Sequence, residues 1–517
     1  MNTKVKVNMR SGGKGASAQP MPMSMELSAN MVSKVQGDII LPPRQNTERY
    51  GHYEQNPVYR VKDNPVSTLS IDVDTGSYSN VRRFLSQDKL PPVDAVRSEE
   101  MINYFTYHYP APTEHPFSVV SETVDSPWQN NAKLIKLGLA TKPVALNDLP
   151  PANLVFLVDV SGSMHEENKL PMVQTTLCLL TQQLRDEDTV SIVTYASGND
   201  IILKPTKGKS KDKILKAIDG LKAGGATAGE SAIRQAYEQA EEEFKENGIN
   251  RIILTTDGDF NVGITDFETL KGLVAEKRHS GVSLTTLGYG EENYNEELME
   301  QLADVGDGNY SYIDSDLEAL KVMQQELSAT LATVAKDVKI QVEFNPNTVK
   351  EYRLIGYENR LLADEDFNND QVDAGEIGAG HQVTVLYEMI PVGVQGWLDE
   401  SHYQQNLPIT TIGNENEYAY VKIRYKQPQG SDSILLDKPI TTTSKPLYQA
   451  SDDTRFAVAV AGYAELLRNG KYSGKWTWDD VITTAEASHP DMAEEDKLGL
   501  RTQFVELAKI AGKLSSQ

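Results

Sequence analysis

One cysteine in 517 residues, Cys178, rules out an intrachain disulfide and a zinc site built on thiolates. It sits in an apolar helical stretch and reads as a small buried residue. Long apolar runs are missing too. No stretch reaches the roughly 20 residues that a membrane-spanning helix needs, and the first residues lack the apolar core of a signal peptide. Basic residues are in deficit: 50 Lys and Arg stand against 74 Asp and Glu, a net charge of −24. That excludes nucleic acid or an anionic membrane surface as the main partner, because both reward basic patches. The same charge suits solubility and cation binding. Tryptophan is scarce, and Trp476 and Trp478 read as packing at a helix entrance. What is present, 39% hydrophobic residues over this length, is enough for sizeable cores in several domains.

The chain is organised around Asn153-Leu-Val-Phe-Leu-Val-Asp-Val-Ser-Gly-Ser-Met164. Leu154 to Val158 form an unbroken apolar run, too short for a helix and suited to a strand buried on both faces of a parallel sheet. Asp159, Ser161 and Ser163 then place three oxygen-bearing side chains at alternate positions just past its carboxyl end, with Gly162 allowing the turn. Ligands of open α/β sheets bind at the carboxyl ends of the strands, and a carboxylate with two hydroxyls suits a hard cation such as Mg²⁺. By itself the triplet reads equally well as a turn followed by a helix cap. Two further loops change the weighing. Ala223-Gly-Gly-Ala-Thr-Ala-Gly229 is glycine-rich and carries Thr227; Arg251-Ile-Ile-Leu-Thr-Thr-Asp-Gly258 is a second buried strand ending in Asp257. Three loops thus offer five oxygen ligands: Asp159, Ser161, Ser163, Thr227 and Asp257.

In that order and with those residue types, the five positions resemble the intact metal-ion-dependent adhesion site of a von Willebrand factor type A (VWA) domain. The flanks resemble one bacterial subfamily. Ser70-Ile-Asp-Val-Asp-Thr-Gly-Ser-Tyr-Ser-Asn-Val-Arg-Arg-Phe84 and Arg97-Ser-Glu-Glu-Met-Ile-Asn-Tyr-Phe105 are similar to the region that precedes its VWA domain. Tyr352-Arg-Leu-Ile-Gly-Tyr-Glu-Asn-Arg360 and Asp373-Ala-Gly-Glu-Ile-Gly-Ala-Gly-His381 are similar to the region that follows. The resemblance runs from about residue 45 to the last residue. It implies a Rossmann-like sheet of order 3-2-1-4-5-6 with strand 3 antiparallel. It also implies a divalent cation, Mg²⁺ first and Mn²⁺ or Ca²⁺ as alternates, and a protein partner whose Asp or Glu completes the ion's shell. The compartment it implies is the bacterial envelope, periplasm or exterior.

Taken in order, residues 1–45 are polar and rich in Met, Ser, Gly and Pro, and read as a disordered tether or leader remnant, with a basic docking arm as the alternative. Residues 46–150 predict a short strand at 68–72, helices at 78–85 and 98–105, and two strands within 115–142. Asp74-Thr-Gly-Ser77 imitates an aspartic-protease signature, but that chemistry needs a second carboxylate sharing the site. A turn with a helix cap formed by Asp74 and Ser77 is the better reading. Residues 151–335 alternate: strands at 154–158, 189–196, 201–205 (an antiparallel edge), 252–257, 283–290 and 309–313, with helices at 170–184, 211–221, 230–244, 266–279, 295–302 and 315–333, the last capped by Ser315. Strands alternating with helices predict a doubly wound, mostly parallel α/β sheet. Residues 336–450 lose the helical period, with strands at 338–344, 383–390 and 417–425. These and the strands of 115–142 are expected to pair into one β-sandwich with the central domain inserted in it. Asp364–Asp370 offers alternate oxygens like the start of a calcium loop, yet lacks the Gly and Glu that such a loop needs; His381 and His402 read as structural. Residues 451–517 form a helical region, with helices at 455–467, 479–487 and 497–511.

Two carboxylates and three hydroxyls leave a coordination position open on an octahedral ion. The expectation is therefore a metal-dependent protein-binding module and not an enzyme. A metal-dependent hydrolase would need a general base, and His165, Glu166 and Glu167 form no recognisable constellation. The remaining alternative is a scaffold whose ion is capped by an acidic residue of its own chain.

Overall fold

All eight residues of Ala152–Asp159 are buried, as a strand inside a two-sided sheet requires. The computed structural model describes residues 46–516 apart from 197, 226–228, 259–266, 400–413 and 489–495. The central sheet consists of Ala152–Asp159 (β1), Thr189–Tyr195 (β2), Asn199–Lys207 (β3), Ile249–Thr256 (β4), Ser283–Gly288 (β5) and Tyr310–Tyr312 (β6). Its order is 3-2-1-4-5-6. β1 pairs in parallel with β2 and β4, β5 and β6 continue in parallel, and β3 runs antiparallel to β2. Side chains alternate across β1. Leu154, Phe156 and Val158 meet Val173, Leu177, Ile214 and Ile218 from helices Leu170–Gln183 and Lys211–Asp219. Val155 and Leu157 meet Ile233, Ala236, Leu270 and Val274 from helices Gly229–Glu242 and Phe267–Lys277.

Strands from before and after this domain pair with each other. Lys133–Thr141 lies between Phe117–Asp125 and Gln382–Pro391, and Val349–Ile355 and Tyr59–Arg60 complete that antiparallel sheet. In the second sheet, Val66–Ser70 and Glu417–Lys426 both pair with Thr333–Phe344, and Ser433–Thr441 and Ile377–Gly378 add to it. The inner faces share one core, Leu69, Ile135 and Leu137 with Ile340, Val342, Val385 and Ile423. The central domain is thus inserted in a β-sandwich.

The outer face of the first sheet is covered by helices. Gly76–Ser86 and Ser98–Asn103, from before the central domain, join Asp452–Leu467, Trp478–Ala487 and Leu500–Ser515, from after it, around Tyr78, Phe105, Phe456 and Phe504, with Leu134 and Leu386 from the sheet. Phe105 meets Phe456 edge-on at 4.9 Å. The C-terminal helical segment is therefore half of a bundle whose other half lies some 350 residues earlier. Helices this short cannot bury an apolar face alone.

Several local expectations change. The helix expected over 315–333 is broken into Asp316–Leu320, a π-turn at Lys321–Gln325 and Leu327–Leu331, although Ser315 does cap it by accepting the Glu318 N–H at 3.3 Å. Asp74 and Ser77 do not cap the first helix. The N-cap position is Thr75 and carries no side-chain cap bond. Asp74 accepts the Tyr310 N–H at 2.7 Å, and Ser77 donates its hydroxyl to the Ala95 carbonyl at 2.8 Å. Cys178 is half-buried. Asp364 accepts from Thr68 and Asp370 pairs with Arg424, so those acidic oxygens serve loop and strand contacts. His381 lies in a turn, its Nδ1 facing the Gly378 N–H at 3.3 Å; His402 and residues 1–45 lie outside the described residues. Trp476 packs on Trp128 at 5.8 Å and Trp478 on Tyr463 at 5.6 Å, as a helix entrance suggested.

Glu122 joins the first sheet to the helix Asp452–Leu467. It pairs with Lys445 at 2.6 Å and accepts from the Ser451 N–H at 3.1 Å and from the hydroxyls of Ser451 and Thr454. Burial would raise its pKa, but these donors prevail and hold the carboxyl down at about 2. A depressed carboxylate contributes stability that is present above its unfolded pKa, near 4.5, and is lost as pH falls toward 2. Glu122→Gln is expected to cost about 1.5 kcal/mol at pH 7. In urea titrations the gap from wild type should stay constant above pH 5 and close between pH 4.5 and 2.

Candidate functional site

β1 ends in a carboxylate that is fully buried, Asp159. Both of its oxygens are held: Oδ1 accepts the Ser161 N–H at 2.8 Å and Oδ2 accepts the Thr256 hydroxyl at 2.8 Å. Thr256 is the last residue of β4, one position before Asp257. After β1 the chain turns into a 3₁₀ segment, Gly162–His165, which brings the hydroxyl oxygens of Ser161 and Ser163 to 3.0 Å from each other. Ser161 is buried and Ser163 half-buried. The glycine-rich loop is tied to the same turn, with the Gly162 N–H donating to the Gly225 carbonyl at 3.0 Å and the Gly224 N–H to the Val160 carbonyl at 2.7 Å. Thr227 lies outside the described residues.

Asp257 is also fully buried. Its Oδ2 accepts from the Lys169 ammonium at 2.9 Å and the Asn293 amide at 3.1 Å, and Lys169 also donates to Asn293 Oδ1 at 2.9 Å. Close backbone approach makes this fit possible. A Cβ at Gly290, where φ is +77°, would lie 2.3 Å from the Lys169 stem. One at Gly258, with φ +79°, would lie 2.8 Å from the Asn295 nitrogen. Neither position tolerates a side chain.

The structure thus brings Asp159, Ser161, Ser163 and Asp257 to the carboxyl ends of two adjacent parallel strands, β1 and β4. Burial, and then the charge of Asp257, push Asp159 up to about 6 against the Ser161 and Thr256 hydrogen bonds. An oxygen-only donor set under excess negative charge fits a hard divalent cation, which would sit against Asp159 and the paired serine hydroxyls. His165, Glu166 and Glu167 are exposed on the turn that follows.

Sequence reasoning missed Thr256, Lys169 and Asn293. Thr256 was read only as strand. Lys169 lies directly before an apolar helix and had no motif to mark it. Asn293, 36 residues beyond Asp257, had no motif to mark it.

This sheet order and strand-end site define a VWA domain. The family model "von Willebrand factor type A domain" matches residues 153–326. A model described as "von Willebrand factor" matches residues 44–136, and "Uncharacterized protein YfbK, C-terminal" matches residues 329–514. The Escherichia coli (strain K12) protein described as "Uncharacterized protein YfbK" is 45% identical over 473 residues, 90% of this chain and 81% of that one. "Uncharacterized protein sll0103" of Synechocystis is 24% identical over 351 residues, 66% of this chain and 78% of that one. A solved von Willebrand factor type A structure from Catenulispora acidiphila aligns with a TM-score of 0.42 at 15% identity, covering 78% of this chain and 90% of that one. The chain belongs to the bacterial family of VWA proteins that carry YfbK-type regions on both sides of the domain.

The Lys169–Asp257 pair is sealed, with side-chain exposures of 3% and 0%. Removing one partner of such a pair leaves an uncompensated buried charge. Lys169→Met is expected to lower the stability of metal-free protein by about 3–5 kcal/mol, and adding Asp257→Asn should recover most of that. Urea unfolding in EDTA of the two single variants and the double variant checks both.

Proposed function

We propose that this chain is a metal-ion-dependent protein-binding module. In this reading Asp159, Ser161, Ser163, Thr227 and Asp257 hold a divalent cation, Mg²⁺ first, with one coordination position left for an Asp or Glu of a partner protein. The observation that carries it is the pair of serine hydroxyls 3.0 Å apart beside a buried, charge-strained Asp159. Lys169 supports it further. Its ammonium takes up part of the charge of Asp257, so an ion here keeps positive charge that favours an anionic ligand from outside. Binding is favoured over hydrolysis because His165, Glu166 and Glu167 are exposed and supply no buried general base beside the motif. Among the described residues no helix is long and apolar enough to cross a membrane. The encounter is assigned to the bacterial envelope or its exterior on family resemblance.

Titration calorimetry with Mn²⁺ or Mg²⁺ is expected to show that Asp159→Ala binds one ion fewer than wild type. Affinity capture on the immobilised full chain in Mg²⁺ should yield a protein that EDTA releases and that Asp159→Ala does not hold. Retention of that protein in EDTA, or by Asp159→Ala, would sink the metal-bridge reading.

A further inference from the structure

A second group of carboxylates gathers outside the central domain. Asp72 follows the strand Val66–Ser70, and Glu99 and Glu100 lie in the first turn of the helix Ser98–Asn103. One ligand oxygen from each lies within 4.8 Å of the others, and the three residues are 4%, 0% and 0% exposed. Buried carboxylates are ordinarily paired or bound to metal. Here the Tyr357 N–H faces Glu99 but no side-chain donor bonds its oxygens, and among the described residues Asp72 Oδ2 and Glu100 Oε1 make no hydrogen bond. Glu100 Oε1 has Arg97 at 3.2 Å, Glu100 Oε2 accepts the Ser77 N–H at 2.8 Å, and Asp72 Oδ1 accepts the Asp74 N–H at 3.0 Å.

The charge around them does not balance. Six carboxylates, Asp72, Asp74, Glu99, Glu100, Glu296 and Glu300, are each at most 4% exposed. Arg97 and Arg360 are the guanidiniums among them, and both are already engaged. Arg97 pairs with Glu296 at 3.1 Å and Glu300 at 2.7 Å, and Arg360 with Asp304 at 2.6 Å, Asp74 at 3.2 Å and, more distantly, Asp72 Oδ1 at 3.5 Å. The chain also closes tightly over Glu99. Gly356 and Tyr357 both adopt positive φ, +74° and +62°, and a Cβ at Gly356 would lie 2.6 Å from Glu99 Oε2.

We propose that Asp72, Glu99 and Glu100 form a second cation site, for a hard divalent ion and Ca²⁺ in preference to Mg²⁺. The donors are all carboxylate oxygens, the choice of Ca²⁺, Mg²⁺ and Mn²⁺. The site is shut from solvent, whereas Mg²⁺ keeps several waters and Ca²⁺ accepts mono- or bidentate carboxylates in loose geometry. An ion there would join the segment after Val66–Ser70 to the helix Ser98–Asn103, beneath the turn at Gly356. The rival is a cluster neutralised by protons: without an ion, burial, Glu358 and Asp72 hold Glu99 up at about 7.

The full chain is tested with the VWA site silenced. Asp159→Ala, stripped with chelator and dialysed against micromolar Ca²⁺, is expected to retain one equivalent of calcium by elemental analysis, with a calcium-dependent rise in melting temperature. Adding the isosteric Glu99→Gln should weaken calcium binding at least tenfold and abolish the rise. If Asp159→Ala holds no Ca²⁺, Mg²⁺ or Mn²⁺ at millimolar concentration, the proposal is overturned whether or not the double variant folds. Undiminished calcium binding after Glu99→Gln overturns it too, as does a metal-free stabilisation of that variant without any bound ion in its parent.

Discussion

A carboxylate at the end of a strand buried on both faces cannot shed its charge to water. Asp159 is in that position because β1 is flanked by parallel strands on both sides and covered by helices above and below. Everything near it answers that constraint. One oxygen takes a backbone N–H of its own turn, the other takes the hydroxyl of the neighbouring strand's last residue, and the next carboxylate, Asp257, takes an ammonium. The turn that satisfies Asp159 is also the turn that presents the two serine hydroxyls. Oxygen donors therefore converge there as a consequence of burying a charge at that point in the sheet.

The same physics recurs where the parts of the molecule meet. Arg82 reaches from the first helix to Glu318 at 2.6 Å, Arg97 joins the second helix to Glu296 and Glu300, and Arg353 joins the first sheet to Glu465 of the C-terminal bundle at 3.2 Å. All are nearly sealed from solvent. Desolvation offsets much of what such pairs gain, while losing one partner is costly. Their effect is to penalise every alternative docking of these surfaces, which matters in a chain whose halves must find each other across an inserted domain.

What the sequence revealed and what it hid follow from this. The central domain was legible because its strands are apolar runs ending in motif residues and its helices keep a 3.6-residue period; four of its five candidate ligands fall within the described residues, at the ends of β1 and β4. The strand Val349–Ile355 was not legible. Lys350, Glu351 and Arg353 break its apolar alternation, and two of those charges are buried, Glu351 against the Trp397 N–H at 2.7 Å and Arg353 against Glu388 at 2.9 Å. Ser433–Thr441 was hidden for the opposite reason: it is an exposed edge strand carrying Lys438 and Pro439, the composition that natural edges use to resist further pairing. No local pattern marked Arg82, Arg97 and Arg353 as buried, because Glu318, Glu296 and Glu388, which they pair with, lie 236, 199 and 35 residues away. The joint between N-terminal and C-terminal helices was hidden as well, since local periodicity carries no information about a partner across several hundred residues.

Insertion also gives the flanks a physical hold on the central site. β6 is the edge of the central sheet, and the N-terminal flank covers it: Asp74 accepts the Tyr310 N–H, the Ser79 hydroxyl donates to the Tyr312 carbonyl at 2.7 Å, and Gly76 leaves no room for a side chain against the Tyr310 ring. The contact continues to the loop that supplies Asn293. The Thr47 N–H donates to the Glu292 carbonyl at 2.6 Å, the Arg49 N–H to the Tyr294 carbonyl at 2.9 Å, and Glu48 accepts the Glu292 N–H at 2.9 Å. Arg97 then grips the helix Glu296–Val305 that follows. Asn293 orients both Asp257 and Lys169, so the segment that positions them is clamped on each side by residues of the flank. Contiguity of this kind is a route for coupling and not yet coupling, which also needs an element with two arrangements that both ends bias. The loop between Glu291 and Asn295 is the element to examine, because it touches both the flank and the residues around Asp257.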